Sequence, residues 1–134
     1  EEAGLFDDPK MEDLLWISPK DAADLGRRGA AIFADARFSP AFRLGHVAGA
    51  FSLPGGRSTH ELGDVEETEV FPLLLRRRDC TLVVYSDDGA DLAFCLYLAR
   101  RFRMHPRIKA HRVLRLRGGL KLWQESGFPV EGSS

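Results

Sequence analysis

The six residues from Cys80 to Tyr85, Cys-Thr-Leu-Val-Val-Tyr, constrain this chain more than any other segment. They are apolar or β-branched with no polar alternation, so a strand built from them buries both of its faces. Such strands sit inside parallel sheets that are covered by helices on each side. Parallel strands need long crossover connections, and the flanking sequence is patterned to supply them. Ser18-Pro19-Lys20-Asp21 combines a hydroxyl cap, a proline at the first helical position and an acid in the first turn. The helix it starts is expected to run to Arg28 and stop at Gly29. Residues 30–36 read as a short buried strand, Ser39-Pro40 as the opening of a helical turn ending near Gly45, and residues 47–53 as one brief second strand.

Further on, the acidic stretch from Glu61 to Glu69 leads into a helix through Leu73, Leu74 and Leu75. Arg76, Arg77 and Arg78 close it, where cations suit the helix dipole. From Asp91 to Met104, Leu92, Cys95, Leu96, Ala99 and Phe102 fall on one helical face. Residues 111–116 read as another strand, and Gly118-Gly119 precede a last helix carrying Leu120, Leu122 and Trp123. Strand and helix alternate throughout. The expected architecture is an α/β domain with a mostly parallel sheet of about five strands and helices on both faces.

Composition narrows the function classes. A chain of 134 residues suits one domain with its own core. No run approaches the roughly 18 apolar residues of a membrane-spanning helix. Cys80 and Cys95 are too few for a disulfide scaffold, and no Cys/His spacing suits zinc, so neither a metal nor another cofactor is implied. The net charge of −1 hides a split: fourteen acids against seven bases up to Pro72, then six against twelve. Eight Arg or Lys and no acid lie between Arg100 and Arg117. That stretch suits an anionic partner or the solvated face of a helix and loop; the second reading is preferred, and no nucleic-acid partner is expected. Residues 1–15, with Asp7, Asp8 and Pro9, are expected to be an irregular lead-in, 16–131 the domain and 132–134 a tail. A start at Glu1 without a basic, apolar leader is expected of a mature or excised piece, with cytoplasmic and extracytoplasmic locations both open.

In open α/β sheets, ligands bind beyond the carboxyl ends of the strands. The expected site is therefore the loop Ser86, Asp87, Asp88, Gly89 and Ala90, which leads into the helix from Asp91. Its amides and the helix N-terminus would hold an anion or a low-pKa nucleophile. Here the motifs resemble a known family. Asp35-Ala36-Arg37, then Gly45-His46-Val47-Ala48-Gly49-Ala50 and Leu53-Pro54, are similar to the "D-x-R … G-H-I-P-G-A … L-P" signature of rhodanese homology domains. The Val83-Val84-Tyr85 strand end, Arg117-Gly118-Gly119 followed by Trp123, and Gly127-Phe128-Pro129-Val130 agree with its second half, so the resemblance covers residues 16–131.

The resemblance implies sulfur transfer through a cysteine placed directly after that strand, which carries sulfane sulfur as a persulfide. This chain has Ser86 there, and a serine hydroxyl is neither ionised at neutral pH nor able to hold a persulfide. Asp87, Asp88 and Asp91 would also repel thiosulfate, phosphate or arsenate, so phosphatase chemistry fails on nucleophile and on charge. Cys95 on the core face of its helix and Cys80 at the far end of the strand are expected to be structural. A pairing of Ser86 with His46 as base is disfavoured, because His46 is expected to anchor its own turn by hydrogen bonding. Asp35 and Arg37 are expected to be an internal pair that supports the site, and Trp16 and Trp123 to be packing residues. Three functions follow in order of preference. The first is a rhodanese-like domain without sulfur transfer, acting as an interaction or regulatory module for an unidentified protein partner. The second is a sulfane sulfurtransferase whose nucleophile is substituted in this chain, serving an unidentified sulfur acceptor. The third is binding of an anionic partner through Arg100 to Arg117.

Overall fold

The computed structural model describes residues 16–53, 65–77, 79–87, 98–99, 101–103, 105, 107–108 and 113–132. Five strands form one parallel sheet in the spatial order β1 (Trp16–Ile17), β6 (Val113–Leu116), β5 (Thr81–Tyr85), β2 (Ala31–Asp35) and β4 (Phe51–Ser52). The strand from which the sequence argument began, β5, lies at the centre with all five residues buried. It pairs with β2 along its whole length, Ala31 opposite Thr81 through Asp35 opposite Tyr85. That register brings Asp35 and Tyr85 side by side at the carboxyl edge.

Side-chain alternation splits the core into two layers. On one face Ile32, Ala34, Leu82 and Val84 pack against Val70, Phe71 and Leu74 of α3 (Val70–Arg76). The helical residues 98–99 and 101–103 add Leu98, Ala99 and Phe102 to that layer. On the other face Phe33, Val83 and Tyr85 meet Ala22 and Ala23 of α1 (Pro19–Arg27) and Leu120 and Trp123 of α4 (Gly119–Glu125). Trp123 meets Phe33 edge-on, with ring centroids 5.4 Å apart.

The first helix forms as its capping residues dictate. The Ser18 hydroxyl accepts the Asp21 N–H at 3.1 Å, and Pro19 occupies the first turn. At the other end Gly29, with φ of 71°, turns the chain so that the Ala30 N–H donates to the Leu25 carbonyl at 2.8 Å.

Residues 47–53 depart from the single strand expected of them. Gly49 takes a φ of 83° and the Ala50 N–H donates to the Val47 carbonyl, which breaks the run with a turn. Its first part joins β3 (His46–Val47), which pairs antiparallel with β7 (Val130–Glu131), and its last part is β4 of the main sheet. A second difference is β1: two residues are too few to show a period, so Trp16 read only as a packing residue. The short helix α2 (Ser39–Leu44) connects β2 to β3 as expected. Asp91, Leu92, Cys95, Leu96 and the lead-in at 1–15 lie outside the described residues.

Leu82, with no exposed surface at the sheet centre, sets the sensitivity of this core. Leu82→Ala is expected to lower the unfolding free energy by about 3 kcal/mol in urea titrations, without changing the far-ultraviolet spectrum of the folded protein.

Candidate functional site at the carboxyl edge of the sheet

The carboxyl end of β2 is organised by a buried ion pair. Asp35 has no solvent exposure, and its Oδ1 accepts the backbone N–H of Arg37 at 2.9 Å. The Arg37 guanidinium folds back onto the same carboxylate, with Nε 3.0 Å from Oδ1 and Nη2 2.7 Å from Oδ2. This two-pronged arrangement suits a planar guanidinium and no other side chain. Nη2 also donates to the Gly45 carbonyl, and Nη1 to Asp87 Oδ1 at 3.0 Å. One side chain thus ties together the end of β2, the C-terminus of α2 and the loop after β5. Burial works against its charge, but the hydrogen bonds and charge of Asp35, with the Asp87 contact, outweigh that and raise its pKa further.

Tyr85 forms the floor beside this pair. Its hydroxyl oxygen accepts the Val47 N–H at 3.0 Å, which docks β3 onto the sheet. Burial first, and the neighbouring Asp35 charge second, push the phenol pKa well above its ordinary value, so the ring stays neutral. His46 is bonded within its own turn. Its Nδ1 donates to the Phe42 carbonyl at 2.7 Å, its ring stacks on Phe42, and its Nε2 lies 3.5 Å from Glu131 Oε2. Through the Nδ1 bond and the ring stacking, His46 holds its own turn.

Ser86 continues β5 and is buried at 1% exposure, while the Asp87 side chain is mostly exposed. The Ser86 and Asp87 carbonyls accept the Leu120 and Lys121 N–H groups at 2.9 and 2.7 Å. The first turn of α4 thereby finds partners for amides that a helix cannot satisfy internally. This contact explains the second glycine of the pair. Gly119 has φ of 61°, and a Cβ there would stand 2.6 Å from the Ser86 carbonyl oxygen. Arg37, which these contacts bring to the loop, already faces two carboxylates. Asp88, Gly89, Ala90 and Asp91 lie outside the described residues.

Of the residues expected to form or support the site, the structure joins Asp35, Arg37 and Asp87 directly, places Ser86 immediately before Asp87 and binds His46 to Phe42 of its own turn. Sequence reasoning missed the Gly45 carbonyl, the Tyr85 hydroxyl and Glu131, whose Oε2 accepts the Gly49 N–H at 2.9 Å. Tyr85 carried a signal, a tyrosine closing an otherwise aliphatic strand. The other two are a backbone group and a distant partner, visible only after folding. Among the basic residues from Arg100 to Arg117, Arg115 lies over the Trp16 ring at 4.1 Å, and Arg107 and Arg117 stand 6.0 Å from Phe71 and Trp16. Among the described residues no helix is long and apolar enough to cross a membrane, and no group of three His, Cys, Asp or Glu could hold a metal ion.

A five-stranded parallel sheet sandwiched by helices defines an open α/β domain, a fold in which ligands bind beyond the strands' carboxyl ends. The family model of the rhodanese-like domain matches residues 18–126, and the chain belongs to that family. Solved structures agree on the fold. A rhodanese-like domain from Anabaena sp. superposes with a TM-score of 0.62 at 22% identity, over 87% of this chain and 78% of that one. A thiosulfate sulfurtransferase from Pseudomonas aeruginosa gives 0.65 at 19% identity, over 92% of this chain but 21% of its own length. An As-Sb reductase from Leishmania major gives 0.67 at 16% identity, over 86% and 79%. The search of curated proteins returned no match.

Two substitutions test this geometry in denaturant titrations. Arg37→Met leaves the Asp35 carboxylate buried without its partner and is expected to cost about 3–5 kcal/mol, with Arg37→Lys recovering only part of the loss. Gly119→Ala combines an unfavourable φ with a clash against the loop, and is expected to cost about 2 kcal/mol or more.

Proposed function

We propose that this rhodanese-like domain, taken as residues 16–131, does not transfer sulfane sulfur through residue 86 and serves as an interaction or regulatory module. The observation that carries the reading is Ser86 itself, at the head of the loop that follows the central strand. Sulfur transfer needs a thiolate that attacks a sulfane donor and keeps the sulfur as a persulfide. A serine oxygen forms no such intermediate. Electrostatics support the same conclusion. Arg37 is the cation that contacts the loop, and Asp35 and Asp87 already neutralise it. A thiosulfate dianion approaching Asp87, Asp88 and Asp91 meets like charge.

The position of Ser86 also keeps a second reading in play, in which the scaffold belongs to a sulfurtransferase whose nucleophile is substituted here. The purified chain is expected to form no thiocyanate from thiosulfate and cyanide above the uncatalysed background. Turnover that disappears in Ser86→Ala would overturn the proposal. Ser86→Cys treated with thiosulfate separates the two readings: added sulfur on that residue, seen by mass spectrometry, favours the substituted sulfurtransferase, and an unmodified thiol favours the module. Binding through Arg100 to Arg117 ranks last, since Arg107, Arg115 and Arg117 lie over aromatic rings of the fold itself.

A further inference from the structure

The opposite end of β2 presents a different kind of surface. β4 pairs with β2 only at Ala34 and Asp35. Among the described residues no strand covers the same edge from Ala31 to Phe33. Peptide groups along a strand point alternately to its two neighbours, and the hydrogen bonds show which way each one faces. The Ala30 carbonyl accepts from Thr81 and the Ala36 N–H donates to Tyr85, both toward β5, whereas the Asp35 carbonyl accepts from Leu53, toward β4. By that alternation the N–H and carbonyl of Ala31 and the N–H of Phe33 face the uncovered edge.

A cavity of about 540 Å³ runs along this edge, lined by Ala31, Ile32 and Phe33 themselves. It is walled by Ala23 and Gly26 of α1 on one side of the sheet and Leu73 of α3 on the other, with Phe51 of β4 beside them. The turn at Val47, Ala48 and Gly49, which leads into β4, also lines it, and Arg27 and Arg77, at the C-terminal ends of these two helices, add two exposed cations. Arg27 is shared with Asp24 at 3.2 Å, and Arg77 makes no side-chain ion pair among the described residues.

We infer that this groove takes an extended segment of a partner polypeptide, apolar at its centre and acidic at the end that meets Arg27 and Arg77, which adds as a strand to the open edge of β2. Three features require that combination. Backbone groups in the wall that no described strand pairs call for a ligand with a backbone of its own, as in strand-addition recognition. Both walls are apolar, so successive side chains of an added strand, pointing to opposite faces, are both apolar too. Two guanidinium groups at one end select a carboxylate. The uncovered stretch is about 10 Å long, enough for three residues. This inference deepens the interaction-module reading and rests on it for a purpose. Neither Ser86 nor Asp87 lines the groove, though, so sulfur-transfer assays and groove binding succeed or fail separately.

The test is an amide-resolved NMR titration of the full chain with acetyl-Glu-Val-Ile-Val-Glu-amide, which brings an acid to the arginines in either strand direction. Saturable shifts centred on Ala31, Phe33 and Phe51 are expected. The paired substitution Arg27→Glu and Arg77→Glu is expected to weaken binding at least about fivefold at low salt. A peptide of the same sequence with N-methylated valine and isoleucine amides is expected not to bind. Absence of saturable shifts, shifts centred elsewhere, or equal binding of the methylated peptide would each overturn the proposal; the last would make the cavity a site for apolar anions.

Discussion

The guanidinium of Arg37, closed on the buried Asp35 carboxylate, is the interaction on which the carboxyl edge of this domain depends. A buried ion pair adds little stability by itself, because desolvation offsets much of the attraction. Its value here is geometric. Asp35 is in register with Tyr85 on the neighbouring strand, so the pair is seated by the central sheet. From that seat Arg37 reaches the end of α2 and the loop after β5, and Tyr85 receives the Val47 amide. Two connections distant in sequence, the junction of α2 with β3 and the loop after β5, are thereby held to one point.

The same saturation that orders the edge limits its chemistry. A cation spent on two carboxylates offers little to an incoming anion, and the first amides of α4 are spent on the Ser86 and Asp87 carbonyls. Around Ser86 and Asp87, the Arg37 cation and the first described amides of α4 are already engaged. The other end of β2 reverses the situation: among the described residues no strand pairs the outward backbone groups of Ala31 and Phe33, and Arg77 stands without an acid.

Where the sequence spoke plainly, it did so through period and punctuation. The unbroken apolar run at 80–85, the Ser18-Pro19 cap and the glycine at 29 each encode a local preference strong enough to survive folding. Residues 47–53 did not, because Gly49 permits a turn that no hydrophobic pattern announces, and the strand at 130–131 that completes β3 lies far along the chain. At the site, Asp35 and Arg37 were legible as a pair by their spacing. The role of Gly119 was legible only as a motif; its physical reason, a 2.6 Å approach to the Ser86 carbonyl, belongs to tertiary structure. The groove beside β2 was invisible, since it arises from a mismatch in strand length, five residues against two.

Arg37 and Asp87 are fifty residues apart in the chain, and their contact exists only once β2 and β5 lie side by side. Parallel pairing over such a span closes a long loop before any contact rewards it, so it forms late and as a whole. The contact of Arg37 with Asp87 is therefore a product of the completed sheet, and a short segment around residue 87 alone lacks the strand that supplies Arg37.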